Sequence, residues 1–384
     1  MPLAFVVPAW VKRLPLFPLL FTYVFVSSAG LVSVLLVVLS FTLWPLSKNA
    51  YRRVSSLLAY SILGQFAWIC HDWAGISVRL FGEEEVFQKF GKEFSLVTLS
   101  HRGDLDWVAG YLVASQFNFI HTIRTLPKRS VLYVPGFGQI LWALECVFLS
   151  RNFAKDKLAI KNISEVYKNY PFPIQVCIFC EGTRFTQAKY LDGVQFAKEK
   201  GLPVLKHHLV PRTKGFSVLA HYLRTKGNFK ALYDIGFAFP GITHTPNFAD
   251  LLFGRPMTVF LYVRRMSMEE VPDSQEELGH YCYQLYQHKD EAYDYCMKNG
   301  RYPGKEYKKP MSEDVLWSLR LTLILWMTVL VLLPCVLITV FLSWGYLIFL
   351  LLITILFNGT LTVALLMYSH QPMGTPASPT KKTN

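Results

Sequence analysis

Charge is scarce in this chain. Of its 384 residues only 17% are charged, against 52% apolar and 15% aromatic, so it is neither an ordinary soluble protein nor an intrinsically disordered one. Acids are the scarcer sign, 26 against 39 Lys and Arg. None lies before Trp44 or after Leu321, where Lys12, Arg13, Lys381 and Lys382 are the only charged side chains. The seven cysteines are odd in number and scattered, which excludes a secreted disulfide scaffold and favours a reducing, cytosol-facing domain. Cys177 and Cys180 have CxxC spacing but sit in an apolar run without a second pair or a nearby histidine, so no metal is expected. Zinc-finger spacing and arginine-rich runs are missing, so nucleic acid is not an expected partner. There is no Gly-x-Ser-x-Gly elbow either, which argues against a serine hydrolase built on Ser100 or Ser217.

What is present is long apolar sequence at both ends. From Leu14 to Trp44 no residue is charged, about 46 Å of helix against a hydrocarbon core of roughly 30 Å. That is one tilted span, or a hairpin broken at Ser27-Ser28-Ala29-Gly30, and it is too long for a cleaved signal peptide. From Leu321 to Tyr368 charge is again absent, enough for two spans of roughly 20 residues with a break at Ser343-Trp344-Gly345-Tyr346. Two spans return the tail to the side of the domain before them, and Lys308, Lys309 and Arg320 on that flank favour the cytosol. Lys381 and Lys382, third and fourth from the carboxyl end, match a dilysine signal read by the coat-protein retrieval machinery. The expected location is the endoplasmic reticulum membrane, multi-pass, with the domain facing the cytosol.

The chain then divides into an N-terminal flank (1–13), a membrane anchor (14–44), an interfacial helical segment (45–92), a soluble domain (93–312), two transmembrane helices (321–368) and a cytosolic tail (369–384). In the interfacial segment, Arg52, Arg53 and His71 mingle with apolar residues between Tyr51 and Trp73. Such a helix lies on phosphates at the bilayer surface or packs on the first span or on the sheet. The domain reads as α/β. Strands are expected at Phe94–Leu99, Phe117–Thr122, Glu145–Leu149, Ile174–Phe179, Leu232–Phe239 and Met257–Val263. Helices are expected at Leu105–Ser115, Phe153–Lys168, Thr186–Lys200, Gly215–Leu223 and Ser274–Lys298. Its excess of basic residues points to anionic lipid or a phosphorylated co-substrate.

Two strand-to-helix junctions carry chemistry, and strand ends of open α/β sheets are where ligands bind. At the first, Ser100-His101-Arg102-Gly103-Asp104-Leu105-Asp106, a carboxylate five residues after a histidine can accept from one ring nitrogen and leave the other as a general base. Asp104 is read as a cap of the following helix. At the second, Glu181-Gly182-Thr183-Arg184, glycine allows close backbone approach, threonine offers a hydroxyl and arginine a fork for phosphate.

These blocks resemble the glycerolipid acyltransferases, specifically 1-acylglycerol-3-phosphate acyltransferases. His101 and Asp106 match the family's His-x4-Asp motif, and Glu181 to Arg184 match its Glu-Gly-Thr-Arg block. Leu209-Val210-Pro211-Arg212-Thr213-Lys214-Gly215-Phe216 resembles the apolar-Pro block. Lys128 to Gly138 resembles the block between the first two. The likeness covers nearly the whole chain, including the late Lys289-Asp290 helix. Ser100 replaces a common asparagine and Ser130 a common glutamate.

The resemblance implies a membrane-anchored glycerolphosphate-acyltransferase-like domain that moves an acyl group from acyl-CoA, a co-substrate, to the sn-2 hydroxyl of lysophosphatidic acid, with no cofactor. It implies His101 as base, Asp106 as its partner, and Glu181, Gly182, Thr183 and Arg184 around the glycerol phosphate, Glu181 fixing the arginine or the glycerol. Lys128 and Arg129 would meet CoA phosphates, and Pro211 would shape the pocket. Another lysophospholipid acceptor, such as lysocardiolipin, and a non-enzymatic membrane scaffold are the alternatives.

Overall fold

The computed structural model describes residues 8–12, 14–242, 245–341, 345, 348–356 and 358–360. Its centre is a mixed sheet of seven strands, β1 (Ser77–Phe81), β2 (Ser95–Leu99), β3 (Ile123–Thr125), β4 (Gln175–Ile178), β5 (Ala231–Ala238), β6 (Thr258–Ser267) and β7 (Glu306–Tyr307). They lie in the order β3-β4-β2-β5-β6-β1-β7. Strand β2, Ser-Leu-Val-Thr-Leu, is buried at every position, as expected of a parallel strand covered on both faces. It runs parallel to β4 on one side, with Thr98 opposite Ile178, and to β5 on the other, with Leu99 opposite Ile235. The loops that follow β2 and β4 therefore leave the sheet side by side. Beyond β5 the direction reverses: β6 is antiparallel to β5 from Ala231↔Ser267 to Ala238↔Phe260.

All five expected helices form, as Asp106–Gln116, Phe153–Tyr167, Gln187–Lys200, Thr213–Thr225 and Gln275–Asn299. Two expected strands do not. Over Phe117–Thr122 the chain turns left-handed at Asn118 (φ 58°) and makes a 3-10 turn at Ile120–Thr122 before the short β3. Its aromatic residues serve the core instead, with Phe117 and Phe119 packing edge-on against Phe90 at 5.2 and 4.9 Å. Over Glu145–Leu149 the ladder is interrupted because Glu145 (φ 59°) is held by Arg52 Nε and Nη2 at 2.7 and 2.9 Å. A single bridge, Lys128↔Leu149, remains. Strands β1, β3 and β7 lie outside the expected ranges. β1 is short and exposed at its start, and it is completed by pairing with the distant β6.

Among the described residues three helices are long and apolar enough to cross a membrane: Leu16–Leu46, Lys48–Trp73 and Glu313–Thr339. The first is one helix of 31 residues, unbroken at Ser27-Gly30. Small residues there admit neighbours: Ser28 accepts from the Gln65 amide at 2.9 Å, and a Cβ on Gly136 would come within 2.9 Å of the Ala29 backbone. The second packs on the first, on Asp106–Gln116 and on Glu313–Met327. Arg52 turns inward to Glu145 and the carbonyls of Val166 and Asn169, while Arg53 stays exposed. Asp72 pairs with Arg320 and Tyr23 donates to the Leu330 carbonyl, joining both ends of the chain. Leu31, Val34, Val38 and Phe41 on the first helix, and Leu321, Ile324, Leu325 and Leu332 on the last, stand exposed. An apolar surface of this extent fits membrane anchoring of an α/β domain. Ser343, Trp344 and Tyr346, where a second break was expected, and the tail with Lys381 and Lys382 lie outside the described residues.

Candidate active site

Where β2 ends, the side chains of Ser100 and His101 part. The Ser100 hydroxyl is fully buried and accepts the Phe237 N–H at 3.3 Å. His101 turns to the loop, its ring 4.5 Å from that of Phe179. Asp106, the first residue of the next helix, is buried, and one carboxylate oxygen gathers three donors. These are the N–H groups of Arg102 at 2.6 Å and Gly103 at 2.8 Å, and His101 Nδ1 at 3.1 Å. Two of the three donors are backbone, so the carboxylate is positioned by the loop it closes. With Nδ1 engaged, Nε2 is the ring nitrogen left to take a proton.

The second block brackets the first. Glu181 accepts the His101 N–H at 2.7 Å, and the Phe185 N–H donates to the His101 carbonyl at 2.9 Å. The other Glu181 oxygen accepts the Leu209 N–H at 3.4 Å. Glu181 thus fixes the backbone of the histidine, where the family resemblance had it fixing the arginine or the glycerol. Burial dominates its titration and pushes the carboxyl up to about 8, against the pull of those two N–H groups and of Lys289.

Asp104 is not a helix cap. It forms an ion pair with Arg184, while the helix starts at Asp106 after Leu105, whose side chain makes no cap. Gly182 is left-handed (φ +68°), and a Cβ there would lie 3.1 Å from Arg212 Cδ and 3.5 Å from Arg151 Nη1. Thr183 accepts from Lys189 Nζ at 2.6 Å, and the same ammonium reaches the Arg184 carbonyl at 3.3 Å. Burial and then Arg212 lower Arg151. Burial and then Arg184, Arg212 and Arg151 lower Lys189. Arg151, Arg184, Lys189 and Arg212, two of them lowered by their cationic neighbours, form a field beside a glycine that is suited to a phosphate. Sequence reasoning missed Arg151 and Lys189. Arg212 carried one signal, its place directly after Pro211, which is buried. Lys128 and Arg129 are exposed on a stretch running beside Leu149, two residues before Arg151.

Behind this surface, the helix Gln275–Asn299 holds the loop that carries Pro211. Asp290 accepts the N–H groups of Lys206 and His207 at 2.6 and 2.8 Å and pairs with His208 Nδ1 at 2.9 Å. Burial drives His208 down to about 4, so it is neutral at physiological pH. Lys289, also buried, meets Asp234 at 2.9 Å under β2. Among the described residues no group of three His, Cys, Asp or Glu is placed to hold a metal ion.

Residues 78–222 match the family model described as acyltransferase, and residues 250–326 match the one described as acyltransferase C-terminus. The chain is 33% identical to 1-acyl-sn-glycerol-3-phosphate acyltransferase gamma of Homo sapiens over 84% of each protein. It is 33% identical to the delta enzyme of the same organism over 74% of each. Against 1-acyl-sn-glycerol-3-phosphate acyltransferase 2 of Brassica oleracea the identity is 32%, over 73% of this chain and 72% of that protein. With both motif blocks assembled around one histidine and likeness extending over most of the chain, this protein belongs to the family of 1-acyl-sn-glycerol-3-phosphate acyltransferases.

Proposed function

We propose that the protein transfers an acyl group from acyl-CoA to the sn-2 hydroxyl of 1-acyl-sn-glycerol 3-phosphate, giving phosphatidic acid and CoA. The observation that carries this reading is a buried carboxylate on His101 Nδ1 beside a convergence of Arg151, Arg184, Lys189 and Arg212. His101 Nε2 takes the proton of the acceptor hydroxyl as its oxygen attacks the thioester carbonyl. Asp106 holds the tautomer and stabilises the imidazolium. The C–S bond then breaks, and the proton passes from the imidazolium to the departing CoA sulfur. The acceptor is itself the nucleophile, so no acyl-enzyme and no cofactor enter the step.

Gly182 and Thr183 border the glycerol phosphate, and Arg184 binds it as a fork oriented by Asp104, with Arg151, Lys189 and Arg212 completing the field. Pro211 shapes the pocket wall. Lys128 and Arg129 meet the CoA pyrophosphate. The domain faces the cytosol on the endoplasmic reticulum membrane, where donor and acceptor meet, and Lys381 and Lys382 recruit the coat-protein retrieval machinery. A serine nucleophile finds no support, since Ser100 is buried and the Ser217 hydroxyl donates to the Thr213 carbonyl at 3.0 Å.

An acceptor panel tests the headgroup. Lysophosphatidate should outcompete lysophosphatidylcholine and lysocardiolipin at equal surface density. Preference for a choline headgroup or for lysocardiolipin would overturn the assignment of the acceptor.

A further inference from the structure

Away from the histidine lies a groove of about 400 Å³, within the range of small-molecule sites. It lies where the first turns of the helices Phe153–Tyr167 and Thr213–Thr225 meet the helix Gln275–Asn299, so it straddles the two matched family segments. Two aromatic rings, Phe153 and Tyr283, stand in its walls, and the Tyr283 hydroxyl is tied to the Thr213 side chain. Lys157, Lys214 and His280 line it with a single carboxylate, Glu276, and Lys214 Nζ sits 5.9 Å from the Phe153 ring centre. None of the lining residues belongs to the apolar helices.

The groove begins within two residues, along the chain, of the cations that gather at Gly182. Arg212 directly precedes Thr213, and Arg151 lies two residues before Phe153. Lys128 and Arg129 run beside Leu149 at the same margin. Flat aromatic faces flanked by lysines thus follow these cations closely along the chain. An acyl or glycerol chain has no use for such walls. A purine nucleotide does, because a base stacks on rings and a phosphate draws ammonium groups.

We propose that this groove binds the adenosine 3′-phosphate end of the acyl-CoA donor, with the base against Phe153 and Tyr283 and the 3′-phosphate on Lys157 and Lys214. The inference rests on the reading of acyl-CoA as donor and adds where its nucleotide goes.

Two measurements on the full chain in detergent test it. The first is calorimetric binding of adenosine 3′,5′-bisphosphate alone. The wild type should bind it, and Lys157→Ala/Lys214→Ala should bind about ten- to a hundred-fold more weakly, the usual effect of losing charge-assisted contacts. Both lysines are exposed, so the fold should survive. The second compares oleoyl-CoA with oleoyl-3′-dephospho-CoA as donors. Wild type should prefer the first by a similar factor in kcat/KM, and the double variant should lose that preference. Equal nucleotide affinity in wild type and variant, or a preference that survives both substitutions, would overturn the groove as the nucleotide site while leaving the transferase reading intact. Variant-sensitive nucleotide binding without acyl transfer from either donor would keep the groove and overturn that reading.

Discussion

The Glu181 carboxyl group accepts the backbone N–H of His101 at 2.7 Å and so locks the Glu-Gly-Thr-Arg block to the His-x4-Asp block across two adjacent parallel strands. The proposed base is held from two directions, its ring by Asp106 and its backbone by Glu181 and Phe185. Each hold has a separate expected consequence.

His101→Ala should lower turnover by a factor on the order of a hundred to ten thousand, the usual range for a positioned general base. Asp106→Asn should be comparably severe in turnover while the protein stays folded, because the amide oxygen can still accept from Arg102 and Gly103. What it loses is the charge opposite the imidazolium. Steady-state kinetics with circular dichroism of both variants would check this, and a dispensable Asp106 would remove it from the relay.

Burial raises the Glu181 carboxyl from its ordinary 4.5 to about 8, so between those values the folded protein holds a proton that the unfolded chain has released. Stability should therefore be highest below the unfolded value, fall as pH rises through that window and level off above it. Glu181→Gln removes the titration and should flatten the curve. Thermal unfolding in detergent at pH 5, 6.5 and 8 reads it. A wild type as stable at pH 8 as at pH 5, or a variant with an unchanged slope, would mean that Glu181 is ionised throughout.

Asp104 and Arg184 should behave as a unit. Arg184→Lys keeps the charge and loses the fork, expected to cost roughly ten- to a hundred-fold in kcat/KM for lysophosphatidate. Asp104→Asn should raise KM for the same acceptor, and the double variant should be little worse than Arg184→Lys alone. Titrating each substrate against saturating amounts of the other separates the cases. A defect confined to acyl-CoA would move Arg184 to the donor site.

Asp290→Ala should destabilise the domain by about 2–5 kcal/mol, since it strands the N–H groups of Lys206 and His207 and the buried ring of His208. Chemical denaturation measures it. A loss below 1 kcal/mol would show that water replaces the carboxylate.

These cases also explain what a linear reading recovers. His101 and Asp106 are legible because a five-residue offset at a strand end is a local pattern, and β2 and β4 are legible because buried parallel strands are continuous apolar runs. The pairing of Asp104 with Arg184 joins positions far apart in the chain, and helix-start chemistry gave Asp104 a sufficient local explanation. Arg151 had no local signal at all: its side chain matters because a left-handed backbone (φ 68°) just before a helix brings it to Gly182. Phe117 to Thr122 misled for the opposite reason, its composition suiting a strand while its aromatic rings packed into the core around a turn.

The most direct test is release of free CoA by the purified full-length protein from oleoyl-CoA, with and without lysophosphatidate. Acceptor-dependent release, matched by phosphatidic acid formed and abolished in His101→Ala, is the expected result. Release that ignores the acceptor, or that persists undiminished without His101, would contradict the proposed mechanism.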